Sequence, residues 1–250
     1  MRLAYGHRYR AASLTKPRVA WEVRRLAGRG ALALDVPVRS LLPQLEFAAH
    51  GAGAVTVRQL LQHTAGLAPS GPGDPLFRRG AASVAGADCA AAARHVARHR
   101  PPHAPGRSTR YSNAGYCLLG EILLARMDAQ ALAASGLEPV LRSPLGAAGG
   151  WADTLAELHA GLHRTLPLER LDPPPQTLPD GSWYAYGWRY WPVPGAGAPW
   201  THTGRLEGMV AVALTDGEDR LLVAHFDGDP GDHQAAAARF GRQAWPCMSK

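Results

Sequence analysis

The chain has 250 residues, enough for one large domain or two small ones at roughly 150 residues per domain. With 46% hydrophobic and 19% charged residues it has an ordinary globular composition, and global disorder is excluded. The net charge of +7 invites a nucleic-acid reading, but the arginines are spread along the chain without zinc-finger spacing, an RNA-recognition motif or a heptad with a basic region, so no nucleic-acid partner is expected. The apolar run Met209 to Leu214 is far short of the roughly 18 residues a membrane span needs, and none is expected. At the N-terminus, Met1-Arg2-Leu3-Ala4 runs straight into Tyr5-Gly6-His7-Arg8-Tyr9-Arg10 without the apolar stretch of a secretory signal. As written, the chain reads as cytoplasmic, and as periplasmic only if an upstream segment precedes it. Cys89, Cys117 and Cys247 are odd in number and form no C-x-x-C pair, so neither a disulfide framework nor a thiolate metal site is expected, and a reducing compartment fits.

From Ser13 the chain reads Ser-Leu-Thr-Lys-Pro, after which Val19, Ala20, Val23, Leu26 and Ala27 recur at helical spacing. Pro17 is tolerated only in a first turn, so this helix must begin near Ser13, and Gly28 and Gly30 close it. Further helices are expected over residues 57–63, 90–98 and 113–127, the last with Tyr116, Leu119, Ile122 and Leu123 inward. Breaks rich in Pro and Gly at 69–75, 100–106, 172–175 and 192–199 read as loops, not as interdomain linkers. The period then changes. Residues 200–204 are extended, 209–215 are apolar and β-branched, Asp216-Gly217 signals a hairpin, and 220–226 is its partner strand. This predicts an antiparallel meander with a last helix, 233–243, on one face.

Only Lys16 and Lys250 among the 27 basic residues are lysines. A lone internal lysine in an arginine-rich chain suggests a task arginine cannot perform, namely holding an amine that loses its proton near neutral pH. Ser13 and Lys16, three apart at a helix start, lie on one face, which puts an amine beside a hydroxyl. A neighbouring base is what a serine hydroxyl needs to become a nucleophile, and a helix N-terminus favours the negative charge that develops. Alone, S-x-x-K is also what any serine cap followed by a lysine produces. Two further elements follow it: Tyr111-Ser112-Asn113, opening a helix, and His202-Thr203-Gly204, on the strand before the meander.

Read together, these elements resemble the penicillin-recognising serine hydrolases, which include class C β-lactamases, low-molecular-weight D,D-peptidases, D-aminopeptidases and related esterases. The stretches 32–38 and 56–67, Pro105-Gly106 before Tyr111, Ser143-Pro144-Leu145-Gly146 and Gly149-Gly150-Trp151 look like family landmarks in family order, from about Arg10 to Phe240. The resemblance implies an α+β fold: an antiparallel sheet flanked by helices plus a mainly helical region. It would form one domain over residues 1–250, mainly helical over about 13–182 and sheet-bearing over about 1–12 and 183–250. It also implies an acyl-enzyme mechanism without metal or cofactor. Ser13 would attack a carbonyl, Lys16 and Tyr111 would share the general-base role, and Tyr111 would protonate the leaving group. Asn113 would hydrogen-bond the substrate amide, backbone N–H groups of Ser13 and Arg205 would form the oxyanion hole, and His202, Thr203 and Gly204 would line the strand edge facing the substrate. A histidine in H-T-G is charged only below its pKa, which points to a peptidase or esterase more than to a β-lactamase. The alternative is a silent family member that binds ligand without turnover.

Between Asp88 and Glu121 no acidic residue occurs, while Arg94, Arg98, Arg100, Arg107 and Arg110 accompany His95, His99 and His103. This segment fits an anionic substrate, although a solvated basic surface is the simpler reading. His159 and His163 lack the glutamate of H-E-x-x-H, and Pro101-Pro102 breaks any helix aligning His95, His99 and His103, so neither group reads as a metal site. His63 and Thr64 read as holding a helix end. The aromatic stretch 183–191 reads as core strand and sheet edge, with a ring or two in a substrate cleft. Compared with the family, the chain is short before Ser13, where only residues 3–10 could supply strand, and again between residues 146 and 149. The strand at 220–226 would then lack a neighbour, and an unpaired apolar edge predicts poor solubility, self-association or an upstream segment missing from this chain.

Overall fold

Ala11, Leu14, Val19, Ala20 and Val23 are excluded from solvent, and their spacing dictates how the first segment folds. The computed structural model describes residues 6–77, 84–195 and 197–249. Its helices are α1 (Thr15–Gly28), α2 (Val38–Leu41), α3 (Val57–Leu61), α4 (Cys89–Arg98), α5 (Asn113–Arg126), α6 (Ala129–Ser135), α7 (Glu138–Leu141), α8 (Gly146–Gly149), α9 (Leu155–His163) and α10 (His233–Ala244). The strands are β1 (Tyr9–Arg10), β2 (Ala152–Asp153), β3 (Trp183–Ala185), β4 (Trp188–Tyr190), β5 (Trp200–Leu206), β6 (Met209–Thr215) and β7 (Leu221–Asp227).

Ser13 itself sits in a short 3-10 turn, Ala12–Leu14, and the α-helix starts two residues later at Thr15, with Lys16 and Pro17 in its first turn. The helix at 57–63 is shorter than its apolar spacing suggested. It ends at Leu61, and His63 takes a left-handed conformation with φ +57. Its start is fixed by a capping box in which Thr56 and Gln59 satisfy each other's backbone N–H groups. The helix α5 is buried almost all round from Asn113 to Leu123, as expected of a central helix with no polar face. The short helices α6 to α9 have no counterpart in the sequence expectations. Their short segments carry little periodicity, and packing decides their form: α7 and α8 lie against α5, α8 and α9 against α1, and α6 against α7.

The main sheet is antiparallel in the order β3-β4-β5-β6-β7. In β6 every residue is buried, because the two faces serve different partners. Met209, Ala211 and Ala213 join the main core, which includes Leu14, Tyr116 and Trp188, while Val210, Val212 and Leu214 pack with Ala237 and Trp245 of the C-terminal helical segment. Helix α10 therefore covers one face of the meander. At the other end of the chain, β1 pairs with β2 through Tyr9↔Asp153 and Arg10↔Ala152, not with the main sheet, and residues 3–5 of the expected strand lie outside the described residues. Among the described residues β3 and β7 are the two edges of the main sheet, and β7 pairs only with β6. No helix of the described residues is long and apolar enough to cross a membrane.

The cysteines require a correction. Cys89 and Cys117 form a disulfide, joining the first residue of α4 to the middle of α5, and exposed Cys247 is the unpaired one. An odd count could not reveal the bridge, because the pairing depends on α4 packing against α5, a contact between residues 28 apart in sequence. The cysteine count therefore gives no argument for a reducing compartment. Reducing this bridge is expected to lower the unfolding free energy by about 3.5 kcal/mol, the loop-closure value for a separation of 28 residues. Urea denaturation with and without a thiol reductant measures it, and coincident curves would contradict a structural role.

Candidate active site

Lys16 is fully excluded from solvent, although it is the kind of side chain almost never buried without partners. Its ammonium has three N–H donors and three acceptors: Ser13 Oγ at 3.0 Å, Asn113 Oδ1 at 2.8 Å and the Ala148 carbonyl at 2.6 Å. Burial lowers the pKa of the amine to about 7, against an opposing pull from the Asp74 carboxylate. The Asn113 and Ala148 oxygens can only accept. When the amine loses its proton, its two remaining N–H groups satisfy those oxygens, and the lone pair is left facing the Ser13 hydroxyl. This arrangement can remove a proton from Ser13 at neutral pH.

The backbone around Ser13 is held from several directions. Ala12 has φ +46, a left-handed conformation costing a non-glycine residue about 1 kcal/mol. The Trp151 carbonyl accepts from the Ala11 N–H at 2.8 Å, and the Thr15 hydroxyl donates to the Ala12 carbonyl at 2.7 Å while accepting from the Trp151 N–H at 3.1 Å. Strand β5 runs directly beside this turn. A methyl group at Gly204 would come within 2.3 Å of the Ala11 carbonyl oxygen and 3.2 Å of the Ser13 nitrogen, so only glycine permits the approach. That closeness brings the Ser13 and Arg205 segments, whose N–H groups are the expected oxyanion donors, to the same place. On the other side, the β3–β4 turn presses on Lys16, where a Cβ at Gly187 would lie 2.7 Å from the Lys16 carbonyl oxygen.

Tyr111 is brought to Lys16 by the segment before α5, with the amine 4.9 Å from its ring centroid. Burial raises its pKa well above the ordinary phenol value, the neighbouring Tyr184 phenol adds to this, and a hydrogen bond with Ser13 acts against it. Tyr111 therefore keeps its proton at neutral pH. Its position depends on His63, which does more than close α3. The His63 carbonyl accepts from the Arg110 N–H at 2.7 Å and its Nδ1 accepts from the Ser112 N–H at 3.1 Å, so both neighbours of Tyr111 are anchored to one residue. The two rings lie 4.3 Å apart. With Nδ1 accepting, His63 is the neutral Nε2–H tautomer, and burial holds its pKa well below the usual value.

His202 is 2% exposed, and its Nε2 lies 3.4 Å from the Tyr111 hydroxyl. Burial, then the charges of Lys16 and Arg189, keep it neutral by lowering its pKa well below 6.5. Thr203 accepts from Gln234 Nε2 of α10 at 2.8 Å, and Arg205 is ion-paired with Asp229 at 2.7 Å. Ser13, Tyr111, Asn113, His202, Thr203 and Arg205 all line one cleft of about 710 Å³. Tyr184, one of the rings of the 183–191 stretch, lines it too. Arg94, Arg98, Arg100, Arg107 and Arg110 do not. Among the described residues no group of three or more His, Cys, Asp or Glu side chains is placed to hold a metal ion.

Three groups of this site were not singled out in the sequence: the Ala148 carbonyl, Ser70 and Asp74. Asn113 Nδ2 donates to Ser70 Oγ at 2.9 Å and to Asp74 Oδ2 at 2.8 Å, so the whole Asn113 amide is engaged inside the protein. Asp74 also accepts from the Leu76 N–H two residues on, the ordinary turn habit of aspartate, and that habit is all its sequence setting signals.

An antiparallel sheet with a nearly all-buried helix behind it, and a serine–lysine pair between them, defines an α+β fold of the β-lactamase and transpeptidase type. It superposes with a TM-score of 0.71 on a beta-lactamase/D-alanine carboxypeptidase from Yersinia pestis, 18% identical, over 97% of this chain and 84% of that one. It superposes with a TM-score of 0.66 on a D-stereospecific amidohydrolase from Streptomyces, 21% identical, over 95% and 86%. Residues 5–144 match the Beta-lactamase family, and the chain belongs to it. Over 146 residues it is 36% identical to esterase EstB of Burkholderia gladioli, a match covering 55% of this chain and 36% of the esterase.

Replacing Gly204 by alanine is expected to lower stability by about 1–3 kcal/mol by forcing β5 off the Ser13 turn. Thermal unfolding measures this, and an unchanged midpoint would contradict the close approach.

Proposed function

We propose that this protein is a serine hydrolase that cleaves a neutral ester or amide through an acyl-Ser13 intermediate. The observation that carries the reading is the buried Lys16 amine, 3.0 Å from Ser13 Oγ and with its pKa brought to about 7. In acylation, the free amine takes the Ser13 proton as Oγ bonds to the substrate carbonyl carbon, and negative charge passes to the carbonyl oxygen. Backbone N–H groups of Ser13 and Arg205 stabilise that charge. The carbon–heteroatom bond then breaks, and the leaving group departs with a proton delivered through the Tyr111 hydroxyl, which is replenished from Lys16. Water attacks the acyl-serine by the reverse proton path, releasing the acid and restoring Ser13. Because Tyr111 holds its proton firmly, the base is Lys16 and the tyrosine is the relay.

A neutral substrate is supported by the electrostatics of the cleft. Its H-T-G histidine is buried and uncharged. Among the described lining residues Arg205 is the only permanent cation, and it is held by Asp229, while Glu207 adds a second carboxylate. Among those described residues a substrate carboxylate would find no unengaged cation. The likeness to an esterase supports an ester as the scissile group.

Intact-mass measurement after incubation with an activated ester and with a β-lactam tests the reading. An adduct on the wild type that is absent in Ser13→Ala is expected, with ester turnover exceeding lactam turnover. No adduct from folded protein would overturn it in favour of a silent ligand-binding member. Activity should also report Lys16 directly. Because only the free amine accepts a proton, kcat/KM for the ester should rise with pH through about 7 and then level, and a profile flat across neutral pH would contradict Lys16 as the base.

A further inference from the structure

The Lys16 amine forms its charge inside the protein each time it takes the Ser13 proton, and such a charge needs a counterpart. The groups facing it come from five elements. Tyr111 precedes α5, and Tyr116 on α5 places its ring centroid 5.6 Å from the amine. His63 follows α3 and His202 lies on β5, and the charge of Lys16 acts on both. Both histidines are neutral and both tyrosines are protonated. The fifth group is Asp74, on the loop 69–75, which is 3% exposed and is not among the residues lining the cleft. Among the described residues it alone places a charge on the amine. Among the described residues no side chain of opposite charge pairs with it directly. The two are joined through one amide: Lys16 Nζ donates to Asn113 Oδ1 at 2.8 Å, and Asn113 Nδ2 donates to Asp74 Oδ2 at 2.8 Å.

The geometry is rigid at each link. The Ser70 N–H, four residues before Asp74, donates to the Tyr111 carbonyl at 2.8 Å, and the Asp74 N–H donates to the Gly71 carbonyl at 3.0 Å. The carboxylate thus faces the amide from a loop tied to the segment that carries Tyr111. Its orientation also fixes that of Asn113. An amide whose nitrogen faces a carboxylate must turn its oxygen to the amine, and a flipped Asn113 would place two donors against the ammonium.

We propose that Asp74 is a positioning residue of the catalytic centre: through the Asn113 amide it supplies the counter-charge to the Lys16 ammonium and orients the amide that receives it. This rests on the acyl-serine reading above. Asp74 touches neither substrate nor Ser13. It acts on how readily Lys16 keeps the proton it has taken, and therefore on the pH at which the enzyme becomes active. Removing the carboxylate makes the ammonium harder to hold, so the amine is freed at lower pH and the acidic limb of kcat/KM moves toward acid. A nearby opposite charge moves a pKa by about one unit or more, which sets the expected displacement.

The test compares wild type with Asp74→Asn, Asp74→Glu and Ser70→Ala. The acidic limb should move to lower pH by about one unit in Asp74→Asn and return toward the wild-type position in Asp74→Glu. It should stay in place in Ser70→Ala, which removes an uncharged partner of the same amide. Since Lys16 and Lys250 are the only lysines, protein labelled with ¹³C at lysine Cε gives one internal resonance, whose titration reads the same shift without substrate. Asp74→Ser serves the same two measurements if the asparagine variant does not fold. A limb and a Lys16 titration unmoved in folded Asp74 variants would overturn the proposal. Equal displacement in Ser70→Ala would also overturn it, by tracing the effect to amide geometry alone. Loss of the Ser13 adduct in wild type would instead remove the acyl-serine reading, so the two failures are distinguishable.

Discussion

One amine, taken out of water and given three oxygens, is the constraint around which this fold is arranged. Desolvating a lysine is costly, and the cost is met only if every acceptor arrives at the right distance at once. The acceptors come from three separate places: the turn before α1, the start of α5 and the short α8. Packing of α1 against both α5 and α8 is therefore a condition of the site as well as of the core. The same packing excludes water from the amine, and this, not a nearby cation, lowers its proton affinity. Stability and reactivity draw here on the same contacts.

The sheet contributes differently. Its central strands are fixed by burial on two faces, and β5 lies next to the Ser13 turn because Gly204 allows it. Helix α10 ties to the same strand through Gln234 and Thr203. The cleft thus has a floor of strand and turn backbone. Its walls come from the loop at 69–75, the Tyr111 segment, and the β5–β6 turn with the residues that follow β7. Among the described residues lining the cleft, the basic character of the chain is represented by one arginine, Arg205, which is neutralised by Asp229.

Local spacing made the centre of the site legible. Ser13 and Lys16 are three apart, Tyr111 and Asn113 flank a helix start, and His202 to Gly204 precede a hairpin signal, so each group sits on an element that its own neighbours specify. The meander and the longer helices were legible for the same reason, since their periodicity is intrinsic. What escaped was whatever depends on elements meeting. The Cys89–Cys117 bridge needs α4 against α5 and cannot be read from an odd count. Asp74 looks like a turn former and is one, and its second role exists only because its loop is tied to Tyr111. His63 was read as finishing a helix, which it does, yet its hold on both neighbours of Tyr111 follows from a left-handed backbone that no local pattern announced.

The close approach at Gly204 also divides the cleft into a part that can vary and a part that cannot. At Gly204 there is no room for an added carbon against Ala11, Ala12 and Ser13, so this part of the floor is fixed by backbone contact. Glu207, His233 and the loop residues Pro69, Gly71 and Pro72 line the cleft while supplying none of the acceptors of Lys16. On the proposed acyl-serine reading, a change of acyl group or leaving group is thus a matter for the rim, where substitutions leave the three oxygens around Lys16 in place.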